Sequence, residues 1–233
     1  MARYTMMHQA ARWHIWLGWA AAIPLLLWTL SGLVMVIRPL EEVRGTTLRI
    51  DAEEQALPVG FVPSAKIYAP GPAAISTVRL AMRFGEPSAR VTYSDGSTAL
   101  FDARDGRRLT PLDQAAAHVV ALRTIRGASD TITGDKLFEG KDAPSDFRRP
   151  MPAWQISLSD GTHVYIGRDT GEVEAVRTPF WRFYDFMWGL HIMDPVERED
   201  THHPVIIVSV LFALVSCILG TVLLFRRRKA RPA

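Results

Sequence analysis

Residues 13–37 read WHIWLGWAAAIPLLLWTLSGLVMVI, 25 positions between Arg12 and Arg38 whose only ionisable side chain is His14. As a helix rising about 1.5 Å per residue, such a run crosses the roughly 30 Å hydrocarbon layer of a bilayer. A second run of the same character, residues 204–225 between His203 and Arg226, has 22 positions without an Asp, Glu, Lys, Arg or His. The chain is therefore expected to cross a membrane twice. The first run follows a short basic stretch, as a secretory signal does, but it exceeds an ordinary signal core and ends in Arg38-Pro39-Leu40-Glu41-Glu42 with no small-residue cleavage site, so it reads as an uncleaved anchor.

Charge sets the orientation. Arg3 and Arg12 precede the first run, and Arg226, Arg227, Arg228, Lys229 and Arg231 follow the second, with no acid in either terminal segment. Both termini are expected on the cytoplasmic side, which places the intervening segment on the opposite side of the membrane. Without those seven residues, 20 Lys and Arg face 24 Asp and Glu, so the net +3 belongs to the anchors and implies no nucleic-acid partner. Cys217, the only cysteine, lies in the second run, which excludes disulfides within the chain, covalent Cys-x-x-Cys-His haem attachment and a four-thiolate cluster.

Between the runs an internal repeat organises the chain. Ala89-Arg90-Val91-Thr92-Tyr93-Ser94-Asp95-Gly96-Ser97 recurs as Ala153-Trp154-Gln155-Ile156-Ser157-Leu158-Ser159-Asp160-Gly161-Thr162. In both copies a β-like run meets Ser-Asp-Gly, the mark of a hairpin, and a second run follows. Asp102-Ala103-Arg104-Asp105-Gly106-Arg107 is then answered by Gly167-Arg168-Asp169-Thr170-Gly171-Glu172, a second turn into a third short strand, which makes each copy a three-stranded meander. Pro111 to Arg123 has helical spacing of apolar residues, with Pro111 in the first turn, and suits a helix covering one sheet. Residues 126–152 read as a loop joining the copies.

From Phe180 to Trp188, six of nine residues are aromatic, an interfacial belt in which Phe180, Tyr184, Trp188 and His191 share a helical face. The stretch Asp194-Pro195-Val196-Glu197-Arg198-Glu199-Asp200-Thr201-His202-His203 then gathers four carboxylates and two imidazoles; the hard oxygen ligands suit a ferric ion, and the stretch equally reads as a solvated linker.

An imidazole at a membrane margin needs a partner, and haem iron, a backbone carbonyl and a lipid headgroup all qualify. His14 to Ile37 is about 35 Å of helix, which sets His14 at the inner face and His191, His202 and His203 at the outer one. In a two-span protomer, His14 and His191 cannot share one iron. Small residues at His14, Gly18 and Ala22 spacing, and at Ser209, Ala213, Ser216 and Gly220, offer close helix contact to a macrocycle or a second subunit, and four helices cage a cofactor better than two.

Arg12-Trp13-His14-Ile15-Trp16-Leu17-Gly18, followed by Pro24-Leu25-Leu26-Leu27-Trp28-Thr29-Leu30-Ser31-Gly32, resembles the first helix of PepSY-associated membrane proteins. The repeated meanders resemble PepSY modules, and Trp188-Gly189-Leu190-His191 with the span after His203-Pro204 resembles that family's later His-bearing helix. Larger members are similar to ferric or ferrisiderophore reductases with four or more spans and His-ligated b-type haems; this chain has two. The resemblance implies non-covalent haem b held by His14 and His191, with His203 an alternate iron ligand and Trp188 and Gly18 against the macrocycle. It implies a homodimer in the lipid bilayer, moving electrons from a quinol or cytoplasmic reductase to a ferric or ferric-siderophore acceptor, as a possible membrane ferric reductase. PepSY modules also occur in haem-free anchored regulators and protease-inhibitory or binding modules, the rival reading.

The expected architecture is an α+β membrane protein, two transmembrane helices flanking a periplasmic domain of two PepSY-like repeats of helix plus antiparallel meander. Its parts are a cytoplasmic N-terminus at 1–12, spans at 13–37 and 204–225, the outer domain at 38–178 with repeats at about 60–125 and 126–178, an aromatic helix and acidic linker at 179–203, and a basic tail at 226–233.

Overall fold

In the computed structural model, residues 2–50, 55–69, 71, 73–129 and 131–229 are described. The elements run α1 (Ala2–Ile37), α2 (Leu40–Val43), β1 (Ile75–Arg83), β2 (Glu86–Tyr93), β3 (Thr98–Asp102), α3 (Gln114–Thr124), β4 (Ile132–Phe138), β5 (Ala153–Leu158), β6 (His163–Gly167), β7 (Val173–Arg177), α4 (Pro179–His191) and α5 (Pro204–Lys229). They form two units, one of residues 1–39 with 183–233 and one of residues 40–182.

The first unit contains both long apolar helices. Residues 8–37 of α1 and 204–225 of α5 are long and apolar enough to cross a membrane. Their outward side chains are large and uncovered, with Trp16 70%, Trp19 74%, Leu26 70% and Val36 78% exposed, a surface suited to lipid and costly in water. Small residues on these helices are the buried ones: Ala21 and Ser31 on α1 and Ser216 on α5. The Ser209, Ala213, Ser216 and Gly220 row is the least exposed side of α5, and a Cβ on Gly18 would meet Ser216 Oγ at 3.9 Å. Small side chains bring the backbones close enough for van der Waals packing, the main attraction between helices in lipid.

The second unit is built on the repeat. Tyr93 N donates to Ser97 O at 2.9 Å, and Leu158 N donates to Thr162 O at 2.8 Å. In each turn the Asp side chain accepts the backbone N–H two residues on, Ser97 N at 2.9 Å and Thr162 N at 2.8 Å. Gly96 and Gly161 hold φ of 82° and 80°. These are three-residue hairpin loops closed by a left-handed glycine, longer by one residue than the two-residue Asp-Gly turn. The next turns also match: Asp102 N to Arg107 O at 2.8 Å is answered by Gly167 N to Glu172 O at 2.9 Å.

Both meanders gain a strand on their N-terminal side that the turn signals do not announce. The first sheet has the order β1-β2-β3, and the expected strand after its second turn shrinks to a single bridge between Phe101 and Arg108. The second sheet has the order β4-β5-β6-β7, so the stretch expected as a loop over 126–152 contains an edge strand. Edge strands carry one paired side only, and Ile132 to Phe138 lacks the strict alternation that marks a half-buried strand.

Helix α3 starts at Gln114, later than Pro111, because Asp113 takes the N-cap and its Oδ1 accepts Ala116 N at 2.8 Å. Its Ala117, Val120 and Ala121 pack on Ile156, Val164, Ile166 and Val176 of the second sheet. Strand β6 is covered on both faces, since Tyr165 points the other way and stacks on buried Phe147 with centroids 4.6 Å apart. The first sheet has its own core of Ile67, Ala89, Val91, Tyr93, Ala99 and Ala103.

Candidate functional site

Two imidazoles are held within the first unit by the same device. His14 on α1 reaches α5, where its Nδ1 lies 2.9 Å from Ser216 O and 3.2 Å from Ser216 Oγ. His191 at the end of α4 reaches α1, where its Nδ1 lies 3.2 Å from Trp28 O and 3.1 Å from Ser31 Oγ. A carbonyl only accepts, so Nδ1 is the donor in both rings. In a neutral ring this is the Nδ1–H tautomer, with the lone pair on Nε2.

Glycine makes room for both rings. A Cβ at Gly220 would stand 2.8 Å from His14 Cε1, and one at Gly32 would stand 3.2 Å from His191 Cε1. His191 also stacks on the Trp28 indole at a centroid distance of 5.3 Å and an interplanar angle of 16°. The serines are nearly inaccessible, Ser31 at 1% and Ser216 at 7%, and Ser31 Oγ donates to Leu27 O at 2.6 Å, leaving its lone pairs for the imidazole. Along α1, the 17 positions from His14 to Ser31 amount to about 26 Å of helix rise. His14 and His191 therefore occupy separate levels along α1.

The other residues expected at a haem have different positions. His203 caps α5: its Nδ1 accepts Val205 N at 3.4 Å and its carbonyl accepts Ile206 N at 3.0 Å. Accepting at Nδ1 leaves the proton of a neutral ring on Nε2, the opposite tautomer to His14 and His191. Trp188 donates Nε1–H to Arg198 O at 3.1 Å, so its indole pins the chain that follows α4. Gly18 sits beside Ser216, one turn from His14.

The acidic stretch is organised around Asp194. Its carboxylate accepts N–H groups of Glu197, Glu199 and Asp200 at 3.1–3.2 Å, and Arg198 Nη1 donates to Asp185 Oδ2 at 2.7 Å. Burial pushes the Asp194 carboxyl up, but the backbone donors outweigh it and hold the group below the ordinary carboxylate range. Among the described residues, no three or more His, Cys, Asp or Glu side chains cluster as a metal site, so the stretch is a hydrogen-bonded turn.

The serine and carbonyl partners of the two histidines are the part of the site that sequence reading missed. A serine in an apolar span, on the same face as small residues, is the signal that could have found them. The fold and the site together define a class: an α+β protein with two helices apolar enough to cross a membrane and a paired His–Ser device between helices. No protein-family model, curated protein or solved structure matches this chain.

Proposed function

We propose that this chain is an inner-membrane b-type haem protein, acting as a homodimer, that passes electrons to a periplasmic ferric or ferric-siderophore acceptor. The observation that carries the reading is the shared state of His14 and His191, each with Nδ1–H bonded to a backbone carbonyl and Nε2 left as a base. That is the second-sphere arrangement metal-ligating histidines use, since it fixes ring and tautomer and raises ligand basicity. Haem iron bound there would supply one-electron redox chemistry, while the protein sets its position and potential.

The chain's residues have defined parts in this reading. Ser216 and Ser31 orient the imidazoles, Gly220 and Gly32 give the rings room, and Trp28 covers one face of His191. Each level receives one imidazole per chain, so a second copy completes each axial pair. The basic termini favour a cytoplasmic placement, which turns residues 40–182 outward. His203 takes no iron in this assignment, because its Nδ1 serves the helix cap.

The rival is a haem-free anchored regulator whose repeated hairpins bind a partner, with both histidines serving only to lock helices. Absorbance separates the two. Full-length protein purified in detergent from haem-replete cells should show a Soret band and reduced-minus-oxidised α-band. His14→Leu and His191→Leu should each halve the haem-to-protein ratio, and the double variant should abolish it. No Soret band in the wild type overturns the cytochrome reading; a band surviving the double substitution overturns the ligand assignment.

A further inference from the structure

A cavity of about 480 Å³ lies within the second unit, and four guanidinium groups line it: Arg49, Arg79, Arg83 and Arg90. Among the described residues, Glu172 is the only carboxylate in that lining. The register of β1 with β2 sets Arg79 directly opposite Arg90 on one face of the sheet, with Arg83 four residues farther along the same side. Like charges directly opposite in a ladder destabilise it, so a fold that keeps them has another use for the charge.

The donors are also incompletely used. Arg83 donates to Gly171 O and Arg90 to Glu172, yet Arg49 Nε and Arg90 Nε are buried with no hydrogen-bond partner among the described residues. A buried N–H of a charged group is expensive to leave unmet. Burial first, and then the neighbouring Arg90, pull the Arg83 guanidinium down to about 10.

The cavity wall is held in a strained form as well. Phe84 lines it from the two-residue turn between β1 and β2 with φ of 55°, a left-handed conformation uncommon for a bulky residue. Its ring lies 4.5 Å from the Arg83 guanidinium and 5.4 Å from that of Arg123, and Arg123 Nη1 donates to Phe84 O at 3.2 Å.

We infer that this cavity is a binding site for a small polyanion, a molecule carrying two or more carboxylate or phosphate groups, held by Arg49, Arg79, Arg83 and Arg90. Planar guanidinium forks pair bidentately with either group, and two or more negative charges balance the excess of the lining. The site stands independently of the haem reading, which concerns other residues.

The test is thermal unfolding and calorimetry of the full chain in detergent with citrate, inorganic pyrophosphate and acetate at matched ionic strength. Citrate or pyrophosphate should raise the midpoint in a saturable way where acetate does not, and whichever arm responds names the anionic group. Arg79→Gln should weaken the responding anion at least tenfold, read as the loss of the anion-induced rise over that variant's own ligand-free midpoint, a loss that a purely structural arginine would not cause. Arg90→Lys keeps the charge but loses the fork and should also weaken binding. Failure of both polyanions to act beyond the acetate control, or an undiminished response in Arg79→Gln, overturns the inference.

Discussion

His14 Nδ1 donates to the carbonyl of Ser216, 202 residues away in the chain and 2.9 Å away in space, so one hydrogen bond ties α1 to α5. Such bonds between helices in lipid average about 0.6 kcal/mol and reach about 1.7 kcal/mol. His14→Leu keeps the volume and loses the bond, and should therefore destabilise the helix pair of haem-free protein only within that range. Unfolding of the full chain in mixed micelles by increasing fractions of denaturing detergent measures it. A loss well above 3 kcal/mol would show that the ring carries packing as well as hydrogen bonding.

Gly220 provides the complementary case. A methyl group there would stand 2.8 Å from His14 Cε1, closer than real Cβ contacts come, and the ring cannot swing away without giving up Ser216. Overpacking of this kind typically costs about 1–3 kcal/mol. Gly220→Ala should therefore destabilise more than His14→Leu, and the pair Gly220→Ala with His14→Ala should recover most of the loss, since the smaller side chain vacates the space. A double-variant cycle with no coupling would refute the contact.

Much of this architecture is legible in the sequence where one local rule decides the outcome. Long uncharged runs fix α1 and α5, and Ser-Asp-Gly fixes two hairpins, because left-handed Gly96 and Gly161 leave few alternatives. The strands β1 and β4 were harder, since an edge strand satisfies a neighbour on one side only and shows weaker alternation. Helix α3 shifted because Asp113 offers a better cap than its neighbours, a competition that apolar spacing does not register. At the site, histidine positions were readable, but Ser31 and Ser216 gain meaning only once helix packing brings residues 160 and 202 apart together.

Tyr165 predicts alkaline behaviour. Its hydroxyl donates to Asp146 Oδ1 at 2.6 Å and accepts from Gln155 Nε2 at 2.6 Å. Burial first, then the hydrogen bond to Asp146 and its charge, push the phenol well above its usual value near 10. A raised value in the folded state means that the stabilisation is whole below about pH 10 and fades as pH rises toward the folded-state value. Tyr165→Phe should lose stability at neutral pH, by about 1.5–3 kcal/mol for a bond to a charged acceptor, and show a shallower decline above pH 10. Chemical unfolding at pH 7 and pH 10.5 provides the comparison; equal differences at both would refute the linkage.

Asp102 predicts the opposite limb. Its carboxylate accepts Arg104 Nε at 3.3 Å and Arg104 N at 2.9 Å, and pairs with Arg104 Nη2 at 3.1 Å. The Arg104 side-chain hydrogen bond leads in holding the group below its ordinary value of 3.8, and the backbone bond follows. A depressed folded-state value gives stability that is present above about pH 4 and lost as pH falls through the folded-state value. Asp102→Asn should therefore be less stable than the wild type at neutral pH, and the gap should narrow steadily as the solution is acidified below pH 4. Asp95 and Asp194 are lowered too, so the variant retains part of the acid transition and only its steepness falls. Midpoints measured from pH 2.5 to 6 decide the point, since a gap that stays constant across that range would place the effect of Asp102 in turn geometry and not in its charge.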